Sequence, residues 1–554
     1  MKEYIRYCIF LCCLFAAWSV RAQELLQQAS PKHEIRAVWL TTIGGIDWPH
    51  SYDATKQKEE LKSILDRLKK AGINTVLLQT RVRGTTIYPS ALEPWDGCMS
   101  GTPGKAPSFD PLQFAIEECH QRGMQLHAWV VTLPLGKWKN LGCTQLRKKH
   151  PRLVKKIGED GYLNPEQPET ADYLARCCSE IVDHYDVDGI HLDYIRYPET
   201  WKQRVQKSQG RANITHIVRS IHKEIKARKP WVMLSCAPVG KHDNLLRYGS
   251  NGWNARTAVC QDAQQWLREG IMDALFPMMY FQGNQFFPFA IDWQEHAYGR
   301  IVVPGLGIYF LDPREGHWTL DEVKRQLGVL RQLELGHCYF RSKFFTDNVK
   351  DIYDLEVYNN CAPALIPPMW WQSDKVPPMP ADGSVDNEGR LNWTVPLAPE
   401  SYYLFNVYAS KQFPVDVSNP MNLVACRWLE NSLMVEANGS VNYAITTVDR
   451  YGNESEPFQL KLVKTPSRPT PPRIPLADKS VVLPVKPSTL DADHVLIETI
   501  EGQSVASRPY DGSPIDVSSL PEGVYQWRTL GKKGRTHRLG FFTIKRKTSC
   551  PSSN

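Results

Sequence analysis

Hydrophobic residues recur with two different spacings between residues 31 and 372. Apolar residues at every second position, or in short continuous runs, are typical of strands, whereas apolar residues repeating every three to four positions indicate helices. The predicted strands are Ile35–Thr42, Asn74–Val82, Gln125–Thr132, Gly189–Tyr197, Trp231–Val239, Asp273–Tyr280, Ile301–Tyr309 and Gly336–Phe345. The predicted helices between them include Gln57–Ala71, Pro111–Gly123, Thr170–Tyr185, Ala258–Gly270 and Leu320–Leu335.

This alternation predicts an α/β fold with a parallel sheet. Eight strand-helix units in about 340 residues match the size of a TIM barrel with enlarged loops. A doubly wound open sheet is the alternative, but such a sheet commonly carries a glycine-rich phosphate loop after its first strand. No such loop follows Thr42, so the barrel is favoured.

Two proline-rich joints, at residues 374–380 and 465–472, have the extended composition of linkers between domains. They separate the barrel, residues 31–372, from blocks at 376–464 and 473–547. Both blocks contain short runs of alternating polar and apolar residues, which predict strands. The predicted fold is therefore a (β/α)8 TIM barrel followed by two small all-β domains.

The first 22 residues have the composition of a secretory signal peptide. Lys2 and Arg6 precede the apolar stretch Cys8–Ala17, and Val20-Arg21-Ala22 supplies a small-x-small cleavage site. No later apolar run reaches about eighteen residues, so no transmembrane span is expected after the signal is removed. We therefore expect a secreted protein with a periplasmic or cell-surface location.

The overall composition narrows the class of partner. A chain with 42% hydrophobic and 23% charged residues is globular rather than disordered or fibrous. The formal net charge of +7 is small for 554 residues, and the excess of positive charge lies after Glu522, where eight Lys and Arg residues occur without an acid. The main domain is therefore not expected to bind nucleic acid. The oligomeric state stays open.

The ends of the predicted barrel strands carry polar and aromatic residues. Catalytic groups of TIM barrels lie at the C-terminal strand ends, and in the fourth strand apolar Ile190 and Leu192 should face the helices, which turns His191 and Asp193 inward. Aromatic rings stack on sugars, while arginines and carboxylates bind their hydroxyl and acidic groups, so the mixture predicts a polysaccharide or oligosaccharide substrate. The predicted substrate-binding residues are Asp47, Trp48, Gln79, Arg81, Arg83, His127, Trp129, His191, Arg196, Tyr197, Tyr280 and Arg341.

Alternative interpretations remain for three of these residues. His127 and His191 could be interior histidines whose hydrogen bonds are satisfied within the fold, and Trp129 could simply fill the barrel.

Asp193 is the strongest catalytic candidate, because an inward carboxylate at a strand end is costly unless it is paired or used. Nearby Arg81 and Arg196 would hold it ionised, as suits a nucleophile or a stabiliser of a cationic sugar centre. Glycoside hydrolysis usually needs a second carboxylic acid. Glu93, between apolar neighbours, is the first candidate for a proton donor, although a structural ion pair is an equal possibility. Asp262 is the second candidate, although it could instead belong to the first turn of a helix.

The sequence predicts no cofactor and no metal. A hydrolytic metal barrel needs a cluster of His and acidic ligands. The first strand contains no His-x-His, and only His127 and His191 are predicted to point inward from strands two to four.

Several motifs together resemble the glycosyl-hydrolase-like 10 family over nearly all of residues 31–345. The motifs are Leu78–Gly84, Tyr88–Ser90, Glu93–Trp95, Phe109–Leu112, His120–Met124 and Asp188–Tyr194. The resemblance implies a (β/α)8 barrel that acts on glycan, since relatives in bacterial envelopes are associated with cleaving peptidoglycan strands stripped of peptides. Residues 443–455 resemble the last hairpin of a fibronectin type III domain, and the third block resembles small β-domains that close secreted bacterial proteins.

Two function classes follow from these residues. The first is a secreted glycosidase of the bacterial envelope, and the second is a catalytically inactive barrel that binds envelope glycan.

Overall fold

The computed structural model describes residues 30–386, 388–396, 402–435 and 441–461, and in the C-terminal part residues 476–477, 480–481, 492–499, 503–509, 513–531 and 536–545. The predicted signal peptide lies outside these residues. The chain divides into two compact units, 1–462 and 463–554. Within the described residues, no helix combines the length and apolar character that crossing a membrane requires.

Nine parallel strands form the inner sheet of the first unit. They are β1 Arg36–Leu40, β2 Thr75–Arg81, β3 Gln125–Val131, β4 Gly189–Asp193, β5 Met233–Cys236, β6 Ala274–Leu275, β7 Ile301–Val302, β8 Gly305–Leu306 and β9 His337–Tyr339. Strands β1 to β7 pair with one another in chain order. Strand β8 pairs with β9, and β9 pairs with β1. Only two residues separate β7 from β8, so these are halves of one strand that closes the ring. The barrel prediction is confirmed, and the open sheet is excluded.

Helices surround this ring. The longer ones are Ala54–Lys70, Pro111–Gln121, Leu141–Lys149, Glu169–His184, Lys207–Arg228, Phe287–Glu295, Leu320–Gln332 and Ile352–Asn359, with shorter helices at Gly97–Ser100, Ala255–Ala258, Ala263–Arg268 and Ser342–Thr346. Side-chain hydrogen bonds cap the N-termini of several helices. At the helix Pro111–Gln121, the Asp110 carboxylate accepts from the backbone N–H of Leu112 at 3.0 Å and of Gln113 at 3.1 Å.

Several predicted strands are shorter in the structure, and two further differences change the type or continuity of an element. The helix predicted at 258–270 is broken in two, because Cys260 adopts a left-handed φ of 59° that a continuous helix cannot accommodate. The strand predicted at 336–345 ends at Tyr339, and a short helix begins at Ser342. The local apolar pattern of this segment is consistent with either element, and packing selects between them.

A three-stranded sheet inserted between β3 and β4 widens the top of the barrel. Its strands are Pro134–Lys137, Val154–Ile157 and Asp160–Leu163, and the middle position in the sheet belongs to Asp160–Leu163.

The predicted alternation along β4 is confirmed. Ile190 and Leu192 pack in the layer between sheet and helices. His191 points into the barrel, where its ring lies 5.1 Å from that of Phe276 and 5.9 Å from that of Trp39. The interior is therefore filled by side chains, as expected for a barrel of this size, and its polar end lies where Asp193 terminates β4.

The rest of the first unit consists of two antiparallel sheets that pack against each other. The first contains Ala381–Val385, Arg390–Thr394 and Ser432–Met434, and the second contains Leu404–Ser410, Leu423–Trp428, Asn442–Val448 and Phe458–Leu460. The rings of Trp393 and Phe405 meet 5.2 Å apart between the sheets. This block is all-β as predicted, while its resemblance to fibronectin type III stays a prediction.

The second unit is also all-β. Its strands are Leu476–Ala477, Ser480–Val481, Ala492–Thr499, Ser504–Pro509, Ile515–Asp516, Gly523–Gly531 and Thr536–Ile544. Five of them form one sheet, and Val495, Trp527 and Phe542 belong to its apolar core.

Ion pairs join the β-sandwich to the bottom of the barrel, opposite the C-terminal strand ends. Asp188, just before β4, accepts from Arg427 of the sandwich at 2.6 Å and from His120 at 2.8 Å. Burial opposes ionisation of Asp188, but Arg427 and His120 hold its pKa well below the ordinary value. The carboxylate is therefore a fixed structural charge.

We predict that Arg427→Met destabilises the first unit by about 3 kcal/mol, because it leaves the Asp188 carboxylate buried with one of its two cationic partners removed. Guanidinium unfolding followed by tryptophan fluorescence measures the change. Lys411→Met, at an exposed position of the same sandwich, is the control and should shift stability by less than about 0.5 kcal/mol. Equal midpoints for both variants would contradict a structural role for this pair.

Candidate active site

Asp193 ends β4 and its carboxyl is buried at the top of the barrel. It accepts hydrogen bonds from the Trp129 indole at 3.1 Å and from the Tyr194 backbone N–H at 2.7 Å. Burial raises the pKa of Asp193 to about 6, although Arg196 and both hydrogen bonds act in the opposite direction. Arg196 therefore does not keep the pKa of Asp193 at its ordinary value, because desolvation outweighs the attraction of Arg196. The group can carry a proton near neutral pH.

Arg196 lies beside Asp193 and is buried between two aromatic rings. Its guanidinium carbon is 4.7 Å from the Tyr194 ring centre and 5.6 Å from that of Trp253. Its Nη2 pairs with Glu199 at 2.8 Å, but Nε and Nη1 have no hydrogen-bond partner among the described residues. Buried charged donors without partners are costly, so this position is suited to an acceptor group of a ligand.

Aromatic side chains complete the surroundings of Asp193. The Tyr280 ring stacks on Phe340 at 5.4 Å and meets Tyr309 edge-on at 5.7 Å. Burial raises the pKa of Tyr280, and the charges of Cys338 and Asp193 raise it further. Arg83 is exposed, and its charge lowers the pKa of Asp193. Trp129, Tyr280, Arg83 and Arg196 are thus brought to one site.

Arg81 and Glu93 form a buried ion pair instead of lining this site. The register between β2 and β3 shifts between Gln79 and Arg81, which turns Arg81 toward the helix Glu169–His184. Its guanidinium binds Glu93 through two bonds of 2.6 and 2.7 Å, and Tyr173 of that helix donates to the same carboxylate at 2.8 Å. Regular alternation along β2 would turn Arg81 inward together with Gln79, but a β-bulge interrupts it. The predicted placement of Arg81 beside Asp193 and the substrate is therefore wrong.

The pairing also changes the interpretation of Glu93. Burial lowers the pKa of Arg81, but the Glu93 charge more than reverses this and raises it. Of the two possibilities left open for Glu93, the geometry supports the structural ion pair.

Asp262 belongs to a different polar cluster. Its carboxylate lies 3.4 Å from His242, 3.5 Å from Arg256 and 3.6 Å from Arg211. Burial would raise the pKa of Asp262, but the His242 hydrogen bond and the surrounding charges lower it. This environment disfavours a proton donor. Neither Glu93 nor Asp262 shares a side-chain partner with Asp193.

Asp47 and Trp48, in the loop after β1, and Gln79, in β2, make contacts within the protein. Asp47 accepts from the Thr41 backbone N–H at 3.0 Å and also binds Arg341. The Gln79 side chain accepts from the N–H of Thr42 at 3.1 Å. Trp48 is fully buried and donates to the Gln57 carbonyl at 2.8 Å. The substrate-binding role predicted for Trp48 is therefore wrong, because its ring has no exposed surface.

Three further predicted residues are buried polar groups with partners inside the protein. His191 contacts Ser235 at 3.0 Å and accepts from Trp39 at 3.1 Å, and burial lowers its pKa well below the ordinary value. Burial also lowers the pKa of His127 to about 4, near the bottom of β3, where its Nε2 contacts Gln125 at 3.1 Å and its Nδ1 has no hydrogen-bond partner among the described residues. Tyr197 is fully buried beside Asn213. The alternative interpretation of both histidines as interior residues is the one that the geometry supports.

Metal-binding geometry is not found in the described part of the chain, where no group of three or more His, Cys, Asp or Glu side chains is placed to hold an ion. His127 and His191 lie at different levels of the barrel, since His127 is paired in register with Gly189 and His191 with Trp129.

Sequence reasoning missed Glu199 and Trp253. Partial burial would raise the pKa of Glu199, but its bond to Arg196 and the charge of Arg196 lower it. The spacing of three residues between Arg196 and Glu199 was a usable signal, because oppositely charged residues so spaced often pair. Trp253 lies in the loop after β5, and no local pattern relates it to Arg196.

Comparisons with known proteins agree with this architecture. Residues 34–309 match the family model described as Glycosyl hydrolase-like 10. The chain is 30% identical over 297 residues to Glycosyl hydrolase DigH of Escherichia coli (strain K12), covering 46% of this chain and 67% of that protein. The chain belongs to the glycosyl hydrolase-like 10 family. This membership agrees with the barrel fold, and the matched relative is named a glycosyl hydrolase.

Two further similarities extend the comparison. Glycosyl hydrolase YngK of Bacillus subtilis (strain 168) is 28% identical over 499 residues, which cover 81% of this chain and 97% of that protein. Among solved structures, the PgaB (BpsB) glycoside hydrolase domain from Bordetella bronchiseptica is 14% identical, with 58% of this chain and 98% of that chain covered and a TM-score of 0.39.

We predict that Glu93→Leu lowers stability by about 3–5 kcal/mol, because Arg81 then remains buried without its partner. The double variant Arg81→Met/Glu93→Leu should lose markedly less, since no charge is left unpaired. Chemical denaturation of both variants measures the difference. Full stability of Glu93→Leu combined with loss of activity would instead place Glu93 in the chemistry.

Proposed function

We propose that the protein is a secreted glycoside hydrolase that cleaves an acidic glycan of the bacterial envelope, with peptide-free peptidoglycan strands as the favoured substrate. The observation that carries the proposal is that a buried, protonatable Asp193 lies beside Arg196 in an aromatic site, and that two donor nitrogens of Arg196 have no hydrogen-bond partner among the described residues. The family membership supports glycosidase chemistry in general.

Asp193 supplies the proton in this proposal. Glycosidic bond cleavage requires an acid that protonates the leaving oxygen, and burial is the usual means of raising a carboxyl pKa toward neutral pH. Glu199 is the best supported second carboxylate, since it shares Arg196 with Asp193, and Arg196 lowers its pKa despite partial burial. An ionised carboxylate suits the general base or the nucleophile.

Arg196 supports the acidic substrate. Its Nε and Nη1 can donate charge-assisted hydrogen bonds, which are stronger than neutral ones. Muramic acid carries a carboxylate that neutral sugars lack, and the rings of Tyr194, Trp253 and Tyr280 offer surfaces for the apolar faces of the sugar units.

The location is part of the proposal and depends on the composition of residues 1–22. Export through a signal peptide would bring the enzyme to the periplasm or the cell surface, where envelope glycan is found. The all-β parts would then act as spacers or accessory binding domains.

A catalytically inactive glycan-binding barrel is the second candidate. The observation that favours it is that both carboxylates predicted as partners of Asp193 are engaged elsewhere. Binding of glycan without release of any product would select this candidate.

We predict that the mature protein releases shorter oligosaccharides from peptide-free peptidoglycan strands. Chitin oligosaccharides, which have the same backbone without the carboxylate, should react at least about tenfold more slowly, equivalent to about 1.4 kcal/mol. Arg196→Met should remove most of this preference. Product release only from neutral plant polymers would contradict the substrate assignment.

We predict that kcat/KM falls as the pH rises above about 6, since the acid must be protonated and the pKa of Asp193 is about 6. Asp193→Asn removes the acidic proton and should lower kcat by at least about 100-fold. Asp321→Asn, on an exposed helix position, is the control and should match the wild type. An unchanged pH profile in Asp193→Asn would remove this residue from the mechanism.

A further inference from the structure

A groove of about 900 Å³ opens beside the candidate active site. It is formed by the loops after β1 and β2 and by the segment that follows Pro134–Lys137. Its lining includes Gly44, Tyr52, Arg83, Gly101, Lys139 and Asn140. Arg83 connects the two regions, since it lines the groove and its charge also acts on Asp193. The volume lies at the upper end of the usual range for ligand sites, about 300–1,000 Å³, so it provides space beyond that for one sugar unit.

Tyr52 presents an aromatic surface to this groove. Its side chain is 68% exposed, and its ring lies against the Gly101 backbone. A Cβ atom at Gly101 would come within 3.2 Å of two ring atoms of Tyr52, and Gly101 also adopts a left-handed φ of 77°. Only glycine therefore permits this close approach. A supported, exposed ring of this kind can stack on the apolar face of a sugar unit.

The charge of the groove lining is net positive. Arg83 and Lys139 are both exposed, and neither forms an ion pair within the described residues. The Asp96 carboxylate accepts from neutral donors, at 2.6 Å from the Thr85 hydroxyl and at 2.9 Å from the Cys98 backbone N–H, so it offsets only one of these two cations. His50 pairs with Glu60. The available charges thus favour an anionic ligand.

Two glycines also line the groove. Gly44 is exposed and Gly45 is buried. Both have left-handed φ values, 60° and 67°, and no atom lies within 4 Å of a Cβ placed at either position. Gly44 therefore leaves part of the lining free of side chains.

We infer that this groove binds additional sugar units of an acidic glycan chain, so that the protein prefers long chains to short ones. The inference rests on the proposed function, because it assigns the groove to the same substrate that reaches Asp193. Tyr52 would stack on one of the additional units, and Arg83 and Lys139 would pair with their carboxylates.

Binding measured in the Asp193→Asn background tests the inference without turnover. Isothermal titration with peptide-free peptidoglycan disaccharide and octasaccharide should show at least about tenfold tighter binding of the octasaccharide, equivalent to about 1.4 kcal/mol. Adding Tyr52→Ala or Lys139→Gln should remove most of this gain and leave disaccharide binding unchanged. Tyr358→Ala, at an exposed tyrosine of the helix Ile352–Asn359, is the matched control.

The outcomes separate the two proposals. A gain with chain length that survives both Tyr52→Ala and Lys139→Gln would overturn the groove assignment and leave the proposed function standing. A gain that depends on Tyr52, combined with no cleavage by the wild type, would support the groove and overturn the hydrolase proposal. Failure to bind either oligosaccharide would overturn both.

Discussion

Burial of the Asp193 carboxyl is the constraint on which the candidate site depends. A carboxylate removed from water is costly, and here burial outweighs a neighbouring arginine and two hydrogen bonds, so that the pKa rises to about 6. Trp129 and Tyr194 hold the carboxyl in place, while Arg196 is kept close enough to act as a counter-charge without forming a direct bond. The result is a group that can hold or release a proton near neutral pH and that lies among aromatic rings.

Several other charged residues near the barrel ends are engaged in structural contacts. Arg81 pairs with Glu93, and Arg341 binds Asp47, which keeps the loop after β1 against the end of β9. At the opposite end, Asp188 joins the barrel to the sandwich. These pairs satisfy buried charges that would otherwise destabilise the fold. Arg196 differs from them because two of its buried donor nitrogens have no partner among the described residues, and the proposed ligand contact depends on this difference.

Much of the fold could be predicted from the sequence because strand periodicity is local. The alternation of Ile190, His191, Leu192 and Asp193 correctly assigned two faces of β4. The same rule failed for Arg81, because a bulge shifts the register at that position and depends on pairing with β3. Trp48 follows the first strand in the sequence and was predicted to contact the substrate, but the helix Ala54–Lys70 packs over it. Burial by a separate helix cannot be recognised from the residues next to Trp48 in the sequence.

The sequence by itself determined the order of strands and helices, the barrel class and the position of Asp193 at the end of a strand, since each depends on residues within a few positions of one another. Only the tertiary structure decided which charges pair and which titrate. Glu93 and Asp193 both stand among apolar neighbours in the sequence, yet one is bound by Arg81 and the other keeps a raised pKa. Ion pairing and desolvation depend on groups that the chain brings together from distant segments, and their strength is set by distance and burial.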